Sequence, residues 1–340
     1  MQSPRPLALT CGDAGGAGLD IAISAWLARR GESVPPFYLL AQPGAVADRA
    51  RLLGADLSIR QTSPGEALSV FAEDLPIVTL ENPQNANPGS ALALNTAATI
   101  ESIDRAVSDV IHGLAGAVVT LPIAKKPLQD AGFAFPGHTE YLAHLAKRTI
   151  GIDVVPVMML AGPNLRAIPV TVHVPLADVP SMLSAGKIVQ VCKIAANELR
   201  TRFGIPEPRI AIAGLNPHAG EDGAFGEEDS SIIRPAVEAL AAEGFSVTGP
   251  LPADTMFHPA AREKYDAAVC MYHDQALIPA KALDFERTVN VTLGLPFVRT
   301  SPDHGTAFDI AGTGKANPTS LIEALKLADK LVRRSEDARA

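Results

Sequence analysis

The sequence predicts an α/β fold, a mostly parallel sheet with helices on both faces. Three observations carry this. Short apolar runs alternate with helical patterns from one end of the 340-residue chain to the other. Apolar residues make up 47% of it against 19% charged and 5% aromatic, an aliphatic, small-residue composition suited to buried parallel strands. The polar clusters fall just beyond the apolar runs, where such sheets place their ligands.

Taken in order, PLALT at 6–10 reads as a strand, CGDAGGAG as a turn, and 20–30 as a helix in which Ile21, Trp26 and Leu27 share a face. FYLLA at 37–41 is a strand, 44–53 a helix and IVTL at 77–80 a short strand. A long helical period over 89–112 joins Ala91, Leu94, Ala98 and Ile103, and GAVVTLP at 116–122 is the next strand. VVPVMML and RAIPVTVHV are adjacent strands whose prolines suggest edges or bulges, and 176–202 has helical spacing. RIAIAGLNP at 209–217 is a strand, and the helix over 229–243 has Asp229 and Ser230 available as caps. DAAVCMYHD at 266–274 and TVNVTLG at 288–294 are strands, and 317–333 is an amphipathic closing helix.

Composition also excludes function classes. Net charge is −8 and there is no basic run, which argues against a nucleic-acid partner. The three cysteines, Cys11, Cys192 and Cys270, form no close pair, so neither a disulfide framework nor a thiolate zinc site is expected. The first residues read as a strand and not as a secretory signal. The longest apolar stretch, 154–162, is too short to span a bilayer. A cytoplasmic protein with no membrane partner is the expectation.

Four features bear on chemistry. Of eight histidines, His138, His173, His218, His273 and His304 stand at predicted element ends rich in Gly, Pro or Asp, whereas His112 and His144 lie within helical patterns. Imidazole is the commonest neutral metal ligand, and a site assembled from separate loops needs no short spacing. A lone histidine is nonetheless more often a hydrogen-bonded core or surface residue. The turn from Gly12 to Gly18 follows a strand and precedes a helix, an arrangement that can cradle phosphate, but it matches neither dinucleotide fingerprint nor P-loop. Lys125, Lys126, Lys281 and Arg299 follow strands or polar turns, as anion-binding cations do. Last, DHGTAFDIAGTGKANP at 303–318 combines small residues, which let backbone approach a flat ligand, with carboxylates able to accept a ribose or adenine hydrogen bond.

That last segment resembles the nucleotide loop of the isocitrate and isopropylmalate dehydrogenases. With PGHTE (136–140), GLNPHAGEDGAFGEED (214–229), LPADTMF (251–257), MYHDQAL (271–277) and VNVTLGLPFVRTS (289–301), nearly the whole chain resembles the 4-hydroxythreonine-4-phosphate dehydrogenase family of pyridoxal phosphate biosynthesis. The resemblance implies an isocitrate/isopropylmalate dehydrogenase-like two-domain fold. Residues 1–125 with 300–340 would form a discontinuous nucleotide-binding domain, and 126–299 the metal, substrate and dimerisation domain. It implies oxidation of 4-phosphohydroxy-L-threonine by NAD, or NADP, to a β-keto acid that decarboxylates to 3-amino-2-oxopropyl phosphate.

One divalent ion (zinc, cobalt, magnesium or manganese) would be bound by His173, His218 and His273. The resemblance places substrate on His138, Thr139, Lys281, Asn290 and Arg299. Asp254, Asp274 and Lys281 become the candidate catalytic groups. Gly294, Asp303, His304, Gly305, Thr306, Ala307 and Asp309 become the cofactor contacts. It further implies a homodimer with the active site at the subunit interface.

Two departures stand out. The family's first turn usually reads GDPAGIGPE, and here Ala14 and Leu19 stand in place of its two prolines, Ala17 in place of the isoleucine and Asp20 in place of the glutamate. The family's PINK reads Pro122-Ile123-Ala124-Lys125. These leave open a paralogue acting on D-threonate or D-erythronate 4-phosphate or on a dihydrodiol carboxylate. An acyl-phosphate transferase and a non-catalytic phosphate- or metal-binding protein are the readings from other classes.

Overall fold

The computed structural model describes residues 4–337. In chain order its strands are β1 (Leu7–Thr10), β2 (Phe37–Ala41), β3 (Ile59–Gln61), β4 (Leu75–Thr79), β5 (Val118–Val119), β6 (Val157–Ala161), β7 (Arg166–Pro169), β8 (Ile210–Ala213), β9 (Val247–Leu251), β10 (Ala267–Cys270), β11 (Val289–Leu293) and β12 (Arg299–Pro302). The helices are α1 (Gly18–Ala28), α2 (Pro43–Leu52), α3 (Ala67–Val70), α4 (Thr96–Ile111), α5 (Lys125–Asp130), α6 (His138–Ile150), α7 (Val179–Met182), α8 (Ala185–Thr201), α9 (Arg234–Ala242), α10 (Pro259–Arg262), α11 (His273–Asp284) and α12 (Thr319–Asp337). Contacts within the chain separate two compact units. One holds the residues up to Pro156 and those from Leu295 onward, the other Val157–Gly294.

The first unit is built on a sheet in the order β3-β4-β2-β1-β5-β12, parallel throughout. Every residue of β1 and β2 is buried, which is why these strands read as continuous apolar runs and not as alternating ones. Helices α4 and α12 pack on it, α4 with an apolar stripe that includes Ala98, Ile103 and Ala106, and α1 packs against α2 and α12. Helix α6 packs on α4, so residues 138–150 belong to this unit.

The second unit is a mixed sheet in the order β11-β6-β7-β10-β8-β9. Strand β6 runs antiparallel to both its neighbours, β11 and β7, whereas β7, β10, β8 and β9 are parallel neighbours. Its core gathers Leu160, Ala167, Ala211, Ala213, Ala268 and Cys270 from the strands with Ala276 and Leu277 from α11.

Several expectations change. The long helix expected over 89–112 forms only from Thr96, because the side chain of Asn95 turns back to accept from Asn85 N and donate to Asn85 O, holding the preceding segment irregular. The helix expected over 176–202 is broken. Ser184 accepts from Lys187 N at 3.2 Å and caps a fresh start at α8. Leu27 is 38% exposed and leaves the face of Ile21 and Trp26. The prolines do not mark edges, for β7 is an interior strand. Pro169 ends it, and the ladder continues from Val170 N to Cys270 O at 2.8 Å, so no donor is missed. Strands β3, β9 and β12 and helices α3, α5, α6, α10 and α11 were not expected, and the strand expected over 266–274 ends at Cys270, with α11 beginning at His273.

Candidate active site

The second unit puts the three candidate ligands beyond one end of its parallel strands. His173 follows β7, His218 follows β8 and His273 follows β10, and these strands are neighbours in the order β7-β10-β8. Parallel neighbours deliver their carboxyl ends, and the loops after them, to one side. Thr171 Oγ1 donates to Met271 O at 2.8 Å, stitching the first loop to the third. Buried Gln275 accepts from Met271 N at 2.6 Å and donates to Gly214 O at 2.8 Å, joining the third loop to the second.

The rings of His173 and His273 lie 5.6 Å apart between centroids. Two imidazoles on one ion, with bonds of about 2 Å, hold their ring centres about 5 Å apart, so this pair fits a shared ion. Nδ1 of His273 is 2.7 Å from Asp274 Oδ1. A carboxylate on one ring nitrogen fixes the tautomer that leaves Nε2 free for a metal.

His218 is not closed onto this pair. Among the described residues, no group of three or more His, Cys, Asp or Glu side chains stands together as a metal cluster. His218 instead places Nδ1 3.4 Å from Glu221 Oε2 and packs edge-on to Phe225. Its backbone is left-handed at φ 54°, as are Ala219, Gly220, Glu221 and Asp222 after it. Such a run, in which four of the five residues are not glycine, is costly and needs outside support.

Asp229 supplies that support. Asp229 is buried, and its carboxylate accepts from Leu215 N at 2.9 Å, Asn216 N at 3.1 Å and Asn216 Nδ2 at 3.0 Å. The sequence suggested Asp229 as a helix cap. Its side chain makes no capping bond, because the turn Asp229–Ile233 is a π-turn and the carboxylate faces the loop of His218.

The remaining candidates of this unit are more dispersed. Asp254 is exposed on the short turn Ala253–Thr255. Lys281 lies on α11 with its ammonium 5.8 Å from the Phe285 ring. Asn290 is half-buried on β11, opposite Leu160. Gly294, at φ 78°, donates to Glu198 Oε1 at 3.4 Å. Burial raises the carboxyl pKa of Glu198, and the cation of Arg202 opposes the rise.

In the first unit, Arg299 on β12 is buried and donates to Thr120 Oγ1 at 2.6 Å. Burial pushes its pKa down to about 10, which leaves it a cation at neutral pH. His138 opens α6, with Thr139 beside it half-buried. Burial, then the charges of Arg299 and Lys125, hold His138 well below the usual imidazole range, so it is neutral. Its Nε2 is buried without a hydrogen-bond partner. A buried cation and an unsatisfied imidazole nitrogen make a place for an anionic group. Lys126 pairs with Asp130.

The 303–309 segment is an open loop. Asp303 N donates to Ser320 Oγ at 3.4 Å, and His304 Nδ1 lies 2.9 Å from Gly305 O. Thr306 O accepts from Ala17 N at 2.8 Å, tying the loop to the glycine turn. Ala307 is left-handed at φ 47°, and Asp309 is exposed. His112 bonds within its own helix to Ser108, and His144 packs on Phe135, so both are structural. Reading the sequence missed Gln275 and Glu198 and gave Asp229 another role, because what these three do rests on partners 4 to 96 residues away.

The profile of the family described as pyridoxal phosphate biosynthetic protein PdxA matches residues 33–328. A 4-hydroxythreonine-4-phosphate dehydrogenase of Bradyrhizobium diazoefficiens is 55% identical over 335 residues, covering 96% of this chain and 97% of that protein. The crystal structure of the enzyme of that name from Klebsiella pneumoniae superposes with a TM-score of 0.84 at 37% identity, covering 97% of this chain and 98% of the other. A terephthalate 1,2-cis-dihydrodiol dehydrogenase from Burkholderia xenovorans LB400 superposes with a TM-score of 0.63 at 27% identity, covering 96% and 98%. The chain is an oxidoreductase and belongs to the PdxA family, the 4-hydroxythreonine-4-phosphate dehydrogenases of pyridoxal phosphate biosynthesis.

Proposed function

We propose that the chain oxidises 4-phosphohydroxy-L-threonine with NAD⁺, NADP⁺ being the alternative carrier, and then releases CO₂ to give 3-amino-2-oxopropyl phosphate. The observation that carries this is the His173–His273 pair at 5.6 Å, braced by Asp274, in a chain of this family. His173, His273 and, once its ring leaves Glu221, His218 are the residues that would hold a divalent ion of zinc, cobalt, magnesium or manganese. Such an ion supplies positive charge that favours loss of the hydroxyl proton and steadies the later carbonyl. NAD⁺, when bound, would supply the acceptor for the hydride of the hydroxyl-bearing carbon.

The chain's own residues bind, orient and move protons. Arg299 and neutral His138, with Thr139, Lys281 and Asn290, hold the phosphate and carboxylate. Asp254, Asp274 and Lys281 are the candidates to take the hydroxyl proton and to return one to carbon after the bond to CO₂ breaks. Gly294, Asp303, His304, Gly305, Thr306, Ala307 and Asp309 receive the dinucleotide. The first unit is read as nucleotide-binding and the second as carrying the metal, the active centre being shared between two copies in a homodimer. A cytoplasmic location belongs to the same reading of the family; no described helix is long and apolar enough to cross a membrane.

The test is direct. Ion-loaded protein is mixed with NAD⁺ and 4-phosphohydroxy-L-threonine, and NADH absorbance is followed. Turnover of this compound above D-erythronate 4-phosphate, D-threonate 4-phosphate and a cis-dihydrodiol carboxylate is the expected result. A reversed preference replaces the substrate with the favoured one.

A further inference from the structure

We propose that Asp20 and Arg49 are positioning residues for the dinucleotide, a buried clasp that sets the shape of the 303–312 loop. The inference rests on reading that loop as the cofactor contact. Arg49 comes from α2 and its side chain is fully buried. Nη1 donates to Gly16 O at 2.8 Å and to Asp20 Oδ2; Nη2 donates to Ala14 O and Ala86 O, both at 2.8 Å. The guanidinium therefore gathers the glycine turn and the 86–90 segment around one planar fork.

The other oxygen of Asp20 accepts from Gly312 N at 2.6 Å. Gly312 is left-handed at φ 71°, and a Cβ there would meet Leu52 Cδ2 at 2.6 Å and Pro88 Cγ at 2.9 Å. The far end of the loop is thus seated with no slack. Its near end is held by the bond from Ala17 N to Thr306 O, and a Cβ on Gly16 would lie 2.6 Å from that oxygen. Ala307 and Asp309 lie between the two anchors. The glycine turn, too open to match a fingerprint, here acts as the bed of the loop.

A buried ion pair is poor at adding stability, and apolar replacement of one is often neutral. What it can fix is geometry. The double variant Asp20→Asn/Arg49→Met keeps an acceptor for Gly312 N, removes the buried charge and is expected to fold. Arg49→Lys, a point charge without the fork, is the second variant. NAD⁺ affinity is measured by calorimetry, with KM for NAD⁺ and for the phosphorylated substrate, and cobalt affinity alongside.

Both variants are expected to weaken NAD⁺ at least tenfold in Kd and KM, while substrate KM and cobalt affinity stay within twofold. Unchanged NAD⁺ affinity overturns the proposal, and so does equal weakening of all three, which marks a merely structural pair. Wild-type protein that binds neither NAD⁺ nor NADP⁺ overturns it together with the cofactor reading. Wild-type protein that binds NAD⁺ but leaves 4-phosphohydroxy-L-threonine unoxidised overturns the substrate reading alone, and the NAD⁺ comparison still decides the clasp.

Discussion

Replacing Asp229 with Asn tests whether a carboxylate outside the ligand set shapes the loop of His218. The two side chains have the same shape, but Asn offers one acceptor where Asp offers two. In the structure Oδ1 faces Leu215 N, and Oδ2 faces both Asn216 N and Asn216 Nδ2. An amide oriented to serve Asn216 turns its NH₂ toward Leu215 N, and two donors then face each other. A hydrogen bond to a charged group contributes about 1.5–3 kcal/mol, and an orphaned buried donor costs a similar amount. Losing one such bond and weakening the others amounts to about 2–4 kcal/mol at a side chain that is 1% exposed. The left-handed run from His218 to Asp222 loses its anchor at the same time. Groups that orient a metal ligand typically change ion affinity about 10–100-fold when removed. Urea denaturation should show the lost stability, and calorimetric titration with cobalt the weaker binding. An unchanged midpoint refutes the bond count. Lost stability with cobalt affinity intact refutes the claim that Asp229 acts through His218.

Three further outcomes are expected. His218→Ala, at an exposed side chain, should change stability by no more than about 0.5 kcal/mol yet abolish bound ion and turnover; full activity refutes the ligand assignment. Arg299→Lys should raise the KM of the phosphorylated substrate tenfold or more with KM for NAD⁺ unchanged, because an ammonium cannot reproduce a planar fork; an unaltered substrate KM argues against anion binding there. His138 has its pKa lowered by burial and by Arg299 and Lys125. A depressed imidazole stabilises the fold above its unfolded value, about 6.5, and loses that contribution as pH falls below it. At one unit below, ligand-free protein should lose up to about 1.4 kcal/mol that His138→Gln does not lose. Parallel pH–stability curves for the two proteins sink this reading.

Much of the fold was legible because burial on both faces writes itself into composition. β1, β2, β8 and β10 are uniformly buried and show as apolar runs. The strands that escaped lack that mark. β3 is Ile-Arg-Gln with its last two residues exposed, β9 contains Gly249-Pro250 and is half-exposed, and β12 is buried yet reads Arg-Thr-Ser-Pro. Helix α6 is held by its own Tyr141 against Phe133, which packs in turn on Phe135, edge-on contacts that no local period reveals.

The sequence by itself determined the strand–helix alternation and the family, and, through the family's motifs, the fourteen polar residues worth testing, because these are local strings. Tertiary structure alone decided how they are supported. His173 and His273 meet because β7 and β10 are parallel neighbours, and His218 stands apart because its left-handed loop turns its ring to Glu221. Asp229, Gln275 and the Asp20–Arg49 clasp serve backbone groups that local patterns do not record. A hydrogen bond to a distant carbonyl or amide leaves no periodicity behind, so the three scattered histidines could be named from the chain, and the shell that holds them could not.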